Sequence, residues 1–230
     1  MRVLIIIPAY NEEESILSVV QNLRHHCPDY DYVVINDCST DSTKKILEDN
    51  HINHINLPVN LGIGGGVQTG YLYSVQEGYD IAVQMDGDGQ HDPAYMSKLV
   101  ETVASGKADM AIGSRFITGE GFQTSFMRRV GIRFLKNLIR LSCGVTVLDT
   151  TSGYRASNRK LNEFFSKNYA QDYPEPEAIV SAVTNGFHVT EVPVQMKERQ
   201  GGVSSISPLK SVYYMVKVSL AVIFHGLFKL

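Results

Sequence analysis

At 230 residues, 43% hydrophobic and 20% charged, the chain is long and apolar enough for one α/β domain with a buried core and at most a small appendage. Its three cysteines, Cys27, Cys38 and Cys143, are odd in number and far apart. That argues against a disulfide framework or a cysteine metal site and points to buried thiols in a reducing compartment. The net charge of −3 hides a partition: residues 1–110 carry 6 Lys+Arg against 16 Asp+Glu, 111–160 carry 9 against 2, and 161–230 carry 6 against 6. The basic centre is either a solvated helix face or a site for an anionic partner. Without an aromatic-interleaved basic motif, nucleic acid is a poor candidate for that partner.

The opening run Met1–Pro8 is too short for a signal-peptide core and ends at proline, so Val3–Ile7 reads as a first strand. Apolar strands then alternate with helical periods. Tyr32–Ile35, His54–Leu57, Ile81–Gln84 and Met110–Ile112 are strands, and Glu12–His25, Ser42–Asn50, Gly65–Glu77 and Pro93–Ser105 are helices. This alternation predicts a mostly parallel sheet covered by helices on both faces. Right-handed crossovers bring the loops Pro8–Glu12, Asp37–Asp41, Asn60–Gly66 and Asp86–Asp92 to one edge.

Each of those loops has chemistry. Asn11 can cap the first helix. Asp37, just after the second strand, can hold ribose hydroxyls or a base, or else serve as a helix cap, a role Asp41 fits better. The glycines of Gly62–Gly66 let backbone approach a ligand closely, but the run lacks the lysine of a P-loop. Met85-Asp86-Gly87-Asp88-Gly89-Gln90-His91-Asp92-Pro93 is the most informative segment. Two carboxylates two residues apart at a strand end suit Mg²⁺ or Mn²⁺, which take oxygen ligands and complete their shells with water and phosphate. Alone, the pair reads as a polar turn in which Asp92-Pro93 starts the next helix.

The second half is less regular. Phe126–Leu141 is a basic amphipathic helix, Asp149–Ala156 a loop or short strand, Glu177–Asn185 a helix and His188–Val194 a strand. Gln200–Ser207 is rich in glycine and serine and is expected to order with ligand. In Pro208–Leu230, Lys210, Lys217, His225 and Lys229 share an arc of roughly 120° and the rest is largely apolar. The lysines interrupt it too often for a membrane span. Such a helix lies in a membrane interface, or packs on its own domain or a partner. We therefore expect a domain over 1–207, with a nucleotide-sugar half (1–113) and an acceptor half (114–207), followed by a contacting helix over 208–230.

The ordered set Pro-Ala-Tyr-Asn-Glu, Asp-x-Ser-x-Asp-x-Thr, Asn-x-Gly and Asp-x-Asp-x-Gln-His resembles the inverting nucleotide-sugar glycosyltransferases of family 2. The resemblance continues through Gly113-Ser114-Arg115, Thr151-Ser152-Gly153-Tyr154-Arg155 and Lys197-x-Arg199-x-Gly-Gly-x-Ser204, and so covers nearly the whole chain. Within the family the chain is most similar to polyprenyl-phosphate sugar synthases, the dolichyl-phosphate mannose synthase type. The resemblance implies a GT-A-type fold, a nucleotide diphosphate sugar donor, with UDP favoured, and a divalent metal on the diphosphate. It implies that Pro8, Ala9, Tyr10, Glu12, Asp37 and Gly66 meet the nucleotide, and that Asp86, Asp88 and Gln90 hold metal and phosphates. Lys197, Arg199 and Ser204 would close over the donor, and Arg115, Arg128, Arg129 and Arg155 would meet the acceptor. Asp88, Arg115 and Glu177 are the catalytic candidates.

The implied reaction is a single displacement at the anomeric carbon, for cell-envelope glycan synthesis. An undecaprenyl-type lipid phosphate acceptor is already anionic and needs no strong base; a glycan hydroxyl needs one, and Glu175 or Glu177 is then the candidate. The basic centre favours the phosphate. Many relatives continue into long transmembrane helices, whereas this chain has only Pro208–Leu230. The expected location is therefore cytoplasmic, peripheral at the inner face of the cell membrane, on lipid or on a small membrane-protein partner, with homo-oligomers an open alternative. Two rivals are set aside. A nucleotidyltransferase opens with a basic glycine loop that Pro8–Glu12 is not, and a non-catalytic nucleotide-sugar-binding subunit would tolerate loss of Asp86 or Asp88.

Overall fold

A computed structural model of the chain describes residues 1–122, 125–172, 174–198 and 215–224. Among these, seven strands form one sheet in the order β3-β2-β1-β4-β6-β5-β7. The strands are β1 (Val3–Ala9), β2 (Asp31–Asn36), β3 (His54–Asn56), β4 (Ile81–Gln84), β5 (Met110–Ser114), β6 (Arg155–Asn158) and β7 (Val189–Pro193). β1 to β4 pair in parallel, β5 pairs in parallel with β7, and β6 runs antiparallel between β4 and β5. All strands but β6 therefore point the same way, and the expectation of a mostly parallel sheet holds.

The interior strand β1 explains the layering. β1 is buried along its whole length, as expected where helices cover both faces. Val3, Ile5 and Ile7 enter one core with Ile16, Val20 and Leu23 of α1 (Ile16–His26) and Leu99 and Val103 of α4 (Met96–Ala104). Leu4 and Ile6 enter the other with Val67 and Tyr71 of α3 (Gly62–Gln76) and Leu161 and Phe165 of α6 (Arg159–Phe165). The period-2 alternation of a strand thus fills two cores from one apolar run. α2 (Thr43–Asp49) adds Leu47 to the first core, and α5 (Phe126–Cys143) and α7 (Pro174–Thr184) add Leu135, Ile139 and Ile179 to the second. Burial pushes the Cys27 thiol up to about 11, so it stays protonated at neutral pH, in line with an inert core cysteine.

Three local expectations change. α1 starts at Ile16, not Glu12, because Asn11 takes a left-handed φ of 56° and its side chain turns away toward the loop after β2. α3 starts at Gly62, and its glycines serve packing: a Cβ on Gly64 would stand 2.1 Å from the Ala170 carbonyl oxygen. The helix thereby closes onto the segment after α6 instead of leaving open backbone there. α6 itself was not expected. Asn158 caps it by accepting the Leu161 N–H at 3.0 Å, a short-range signal hidden inside an irregular stretch.

The described part of the last segment, 215–224, is helical. Val218 and Val222 are buried in the second core, and Lys217 pairs with Asp172. Val216, Leu220, Ile223 and Phe224 remain exposed. The helix thus packs on its own domain with one face and presents apolar side chains on the other. No helix among the described residues is long and apolar enough to cross a membrane.

Candidate active site

The carboxyl ends of β1, β2, β4 and β5 and the start of β6 share one edge, where α/β sheets bind ligands. The first two loops are stitched together. The Asn11 amide donates to Thr40 Oγ1 at 3.2 Å, its carbonyl accepts the Thr40 N–H at 2.8 Å, and its backbone N–H donates to Ser39 Oγ at 3.0 Å. The Glu12 N–H donates to Thr43 Oγ1 at 2.8 Å. Asp37 is buried, and its Oδ1 accepts the Leu61 N–H at 2.7 Å, which ties in the loop before α3. Its Oδ2 has no partner among the described residues. Tyr10 is exposed at the rim, whereas Pro8 and Ala9 are buried at the end of β1. Glu12 turns inward, accepting from Ser15 Oγ at 2.9 Å, and the same hydroxyl donates to the Gly87 carbonyl at 2.8 Å. Gly66 is buried within α3, where an added Cβ would come into van der Waals contact with Pro8 and Ile35 at the ends of β1 and β2.

The carboxylate loop leaves β4 at Gln84. The Asp86 N–H donates to His91 Nδ1 at 3.0 Å. Nδ1 is therefore the acceptor, and the neutral ring carries its proton on Nε2, which lies 3.7 Å from Asp86 Oδ2. The ring stacks on Tyr154, with centroids 4.8 Å apart at 11°, and the Tyr154 hydroxyl donates to the Asp92 carbonyl at 3.0 Å. Asp88 is buried, and its Oδ1 accepts the Gln90 N–H at 3.0 Å. The polar contacts of the Asp86 carboxylate, 3.4 Å to Gln84 Nε2 and 3.7 Å to His91, are longer than good hydrogen bonds. No cluster of three or more His, Cys, Asp or Glu gathers as a closed metal cage among the described residues. An under-satisfied carboxylate with a second one two residues on fits a hard cation that takes its other oxygens from water and a diphosphate.

Lys197 follows β7 and runs beside this loop. Met196 bridges His91 in antiparallel fashion, the Lys197 N–H donates to the Gln90 carbonyl at 2.9 Å, and Nζ lies 2.9 Å from Asp92 Oδ2. Burial raises the Asp92 carboxyl, but the hydrogen bonds from Lys197 and the Ala94 N–H outweigh it and hold Asp92 below its usual value. Arg199 and Ser204, expected in the same closing segment, lie outside the described residues.

The basic residues separate into two kinds. Arg115 is buried and grips the fully buried Asp149 with two parallel bonds, Nε to Oδ2 and Nη2 to Oδ1, both 2.7 Å. Asp149 is held in turn by Glu191, which accepts the Leu148 and Asp149 N–H groups at 2.8 and 2.9 Å. Arg155 is 0% exposed, level with Gln84 and Ile112 in the sheet. Its Nε donates to the Ser152 carbonyl at 2.7 Å and its buried Nη1 has no partner among the described residues. Arg155, expected among the acceptor-binding residues, is thus completely buried at the start of β6. Arg128 and Arg129 are exposed on the first turn of α5.

Glu175 and Glu177 both lie in the first turn of α7, about 200° apart around the helix. Burial raises the Glu175 carboxyl, opposed by the charge of Arg155, while Asp86 raises it further and Arg128 lowers it. Glu175 therefore shares its field with the carboxylate loop and with Arg128. Glu177 is half-buried. Sequence reasoning assigned no role to Gln84, His91, Asp149 or Gly153. Gln84 was findable as a polar residue ending an apolar strand; the Asp149 pairing joins positions 34 residues apart and had no local signal.

Residues 4–165 match the model of Glycosyl transferase family 2. The chain is 33% identical to the polyprenol monophosphomannose synthase of Mycolicibacterium smegmatis, over 95% of this chain and 86% of that protein. It is 32% identical to the undecaprenyl-phosphate mannosyltransferase of Micrococcus luteus, over 90% and 88%. A UDP-N-acetylglucosamine–dolichyl-phosphate N-acetylglucosaminyltransferase of Methanococcus voltae is 32% identical over 83% and 84%. Among solved structures, glucosyl-3-phosphoglycerate synthase from Mycobacterium tuberculosis with Mn²⁺, UDP and glucosyl-3-phosphoglycerate superposes with a TM-score of 0.72. That match covers 98% of this chain and 79% of the other at 20% identity, a likeness of fold. The sheet edge with its paired carboxylates sits inside a match that spans most of the chain, and the chain belongs to glycosyl transferase family 2, an enzyme family of sugar transfer.

Proposed function

We propose that this glycosyltransferase moves a sugar from a nucleotide diphosphate sugar, UDP-linked by preference, to the phosphate of a polyprenyl lipid such as undecaprenyl phosphate, for cell-envelope glycan synthesis. The observation that carries the acceptor is the likeness, over nearly full length, to two relatives whose names print a polyprenol or undecaprenyl acceptor. UDP is supported by the Methanococcus relative and by the ligand in the M. tuberculosis structure. The mannose in two relatives' names makes GDP-mannose the first competitor.

In this reading Asp86 and Asp88, with Gln90, hold Mg²⁺ or Mn²⁺ against the diphosphate. When bound, the cation supplies Lewis-acid stabilisation of the nucleoside diphosphate leaving group. Tyr10, Glu12 and the free oxygen of Asp37 hold the nucleoside, backed by Pro8, Ala9 and Gly66. Lys197 exchanges its Asp92 partner for the diphosphate, joined by Arg199 and Ser204. Arg128 or Arg129, both exposed on the first turn of α5, meets the acceptor phosphate. Arg115 orders the wall of the acceptor side through Asp149. A phosphate oxygen attacks the anomeric carbon, the bond to the diphosphate breaks, and configuration inverts.

The active edge is held at the inner face of the cell membrane. α5 supports this: Phe126, Val130, Phe134 and Leu141 are exposed along one stripe, and Arg129, Arg133, Lys136 and Arg140 border one side of it within about 80°. Exposed Leu220, Ile223 and Phe224 on the last helix add to it.

A donor panel of UDP-glucose, UDP-N-acetylglucosamine and GDP-mannose with undecaprenyl phosphate and Mn²⁺ tests the proposal. Lipid-linked sugar should form with one donor and vanish in excess chelator. Glu175→Gln and Glu177→Gln, assayed separately, distinguish the acceptor classes: a phosphate acceptor leaves most activity in both, whereas a hydroxyl acceptor loses about 10²- to 10⁴-fold in the one that removes its base.

A further inference from the structure

The Asp86 carboxylate leans on a wall that has no side chain. A Cβ built on Gly153 would stand 2.9 Å from both Asp86 carboxylate oxygens and 3.0 Å from Gln84 Nε2. Gly153 is not among the residues with positive φ, so glycine is not needed there for backbone conformation. Space is what the position requires. The Gln84 amide shares this contact: its Nε2 faces Asp86 Oδ1 at 3.4 Å, and Gln84 is itself buried and accepts from Tyr169 Oη at 3.5 Å.

The wall is braced from behind, so it does not retreat. Arg155 Nε holds the Ser152 carbonyl at 2.7 Å and Nη2 reaches the Thr150 carbonyl at 3.5 Å. Arg115 Nη2 holds Thr151 Oγ1 at 3.3 Å. The next residue, Tyr154, is clamped between the His91 ring and the Asp92 carbonyl. A methyl group at position 153 therefore displaces the ends of two flexible side chains, Asp86 and Gln84, and not the backbone.

We propose that Gly153 is a positioning residue that aims the Asp86 carboxylate at the divalent cation, and that buried Arg155 braces it by fixing the Ser152 and Thr150 carbonyls. The proposal rests on the reading of Asp86 as a metal ligand. It gives the fully buried Arg155 a function transmitted through the loop it holds by the Ser152 and Thr150 carbonyls. It also makes the segment before β6 part of the metal site, although that segment supplies no ligand.

The test is a Mn²⁺ titration of the full chain with UDP and with GDP, read as free Mn²⁺ by electron paramagnetic resonance. Wild type, Gly153→Ala and Asp86→Ala are compared, with thermal unfolding in parallel. Gly153→Ala should weaken Mn²⁺ binding about 10- to 100-fold, the usual effect of disturbing a residue that orients a ligand, with little change in unfolding temperature. Asp86→Ala should weaken it at least as much. If Gly153→Ala binds Mn²⁺ like wild type while Asp86→Ala does not, the positioning role is overturned and the metal reading stands. If Asp86→Ala binds like wild type, the metal reading falls and this proposal with it. Should Gly153→Ala fail to fold, the double variant with Asp86→Ala decides. Recovered folding shows that the clash was with the carboxylate; a chain that stays unfolded overturns the proposal.

Discussion

The loops after β1, β2 and β4 and those between β5 and β6 are built with different materials. On the first side most ties are single hydrogen bonds from backbone or small side chains, some of them to carboxylates: Asn11 to Thr40, Glu12 N–H to Thr43, Ser15 to the Gly87 carbonyl and the Leu61 N–H to Asp37. On the second they are full charges in the interior: Arg115 with Asp149, Glu191 on the Leu148–Asp149 backbone, Arg155 on Ser152. Ties of this kind leave Asp86 with only long polar contacts, and in the proposed reading it acts with Asp37 and Asp88 on a charged ligand that comes and goes. Buried charge pairs hold a shape that must not move, because removing one partner strands the other in low dielectric. The first side should therefore fail in chemistry when mutated, and the second in folding.

The largest expected effect belongs to the carboxylate loop. Asp88→Ala should lower transfer by at least about 10³-fold, since several kcal/mol of leaving-group stabilisation go with the metal. Its stability loss should be smaller than that of a broken buried ion pair, about 1.5–3 kcal/mol for a hydrogen bond such as that from the Gln90 N–H to a charged group. Full activity in this variant would remove the contrast at its strongest point. Arg115→Ala should do the opposite. Breaking a buried, two-bonded ion pair costs about 3–5 kcal/mol, measurable by urea unfolding, whereas nucleotide binding by the folded fraction should hold. Arg115→Lys should recover part of that loss, because charge is kept and the paired geometry is not. An Arg115→Ala chain as stable as wild type would show that the acceptor side is not braced by charge.

A third substitution set sharpens the comparison at the surface. Leu220, Ile223 and Phe224 are exposed, while Val218 and Val222 of the same helix are buried. Serine at the three exposed positions should weaken binding to anionic vesicles at least about 10-fold and cut transfer to long-chain lipid, sparing a short soluble acceptor phosphate. Equal loss on both acceptors would assign the helix to the core alone. The smallest effect concerns pH. Burial raises Glu175 and Arg155 only partly opposes it, so its folded value lies above the unfolded one. A carboxyl shifted in that direction favours folding below the unfolded value, and the benefit is lost as pH rises through the folded one. Glu175→Gln should therefore gain stability relative to wild type between acidic and neutral pH, and unfolding curves that stay parallel would place Glu175 in water.

Local order in the sequence was enough to read β1 to β5, the helices between them and the convergence of their loops. Each rests on periodicity within one segment and on the handedness of crossovers. The Asp-x-Asp loop was legible for the same reason: its residues are neighbours in the chain. What stayed hidden joins distant positions. The insertion of β6 between β4 and β5 is decided by pairing that Arg-Ala-Ser-Asn does not advertise. Arg115 and Arg155 both read as cations for an acceptor; that Arg115 is paired with Asp149 and that Arg155 is wholly buried are not written in the sequence, which records a charge and not its surroundings.

The sequence alone determined the parallel α/β half, the paired carboxylates at its strand end and the family, because each is carried by residues close together or by motifs in fixed order. Only the tertiary structure decided which charges are buried, that Lys197 pairs with Asp92, and that Gly153 stands against Asp86. Those depend on which segments the sheet brings within a few ångströms of each other, and desolvation acts on a side chain only after that packing is complete.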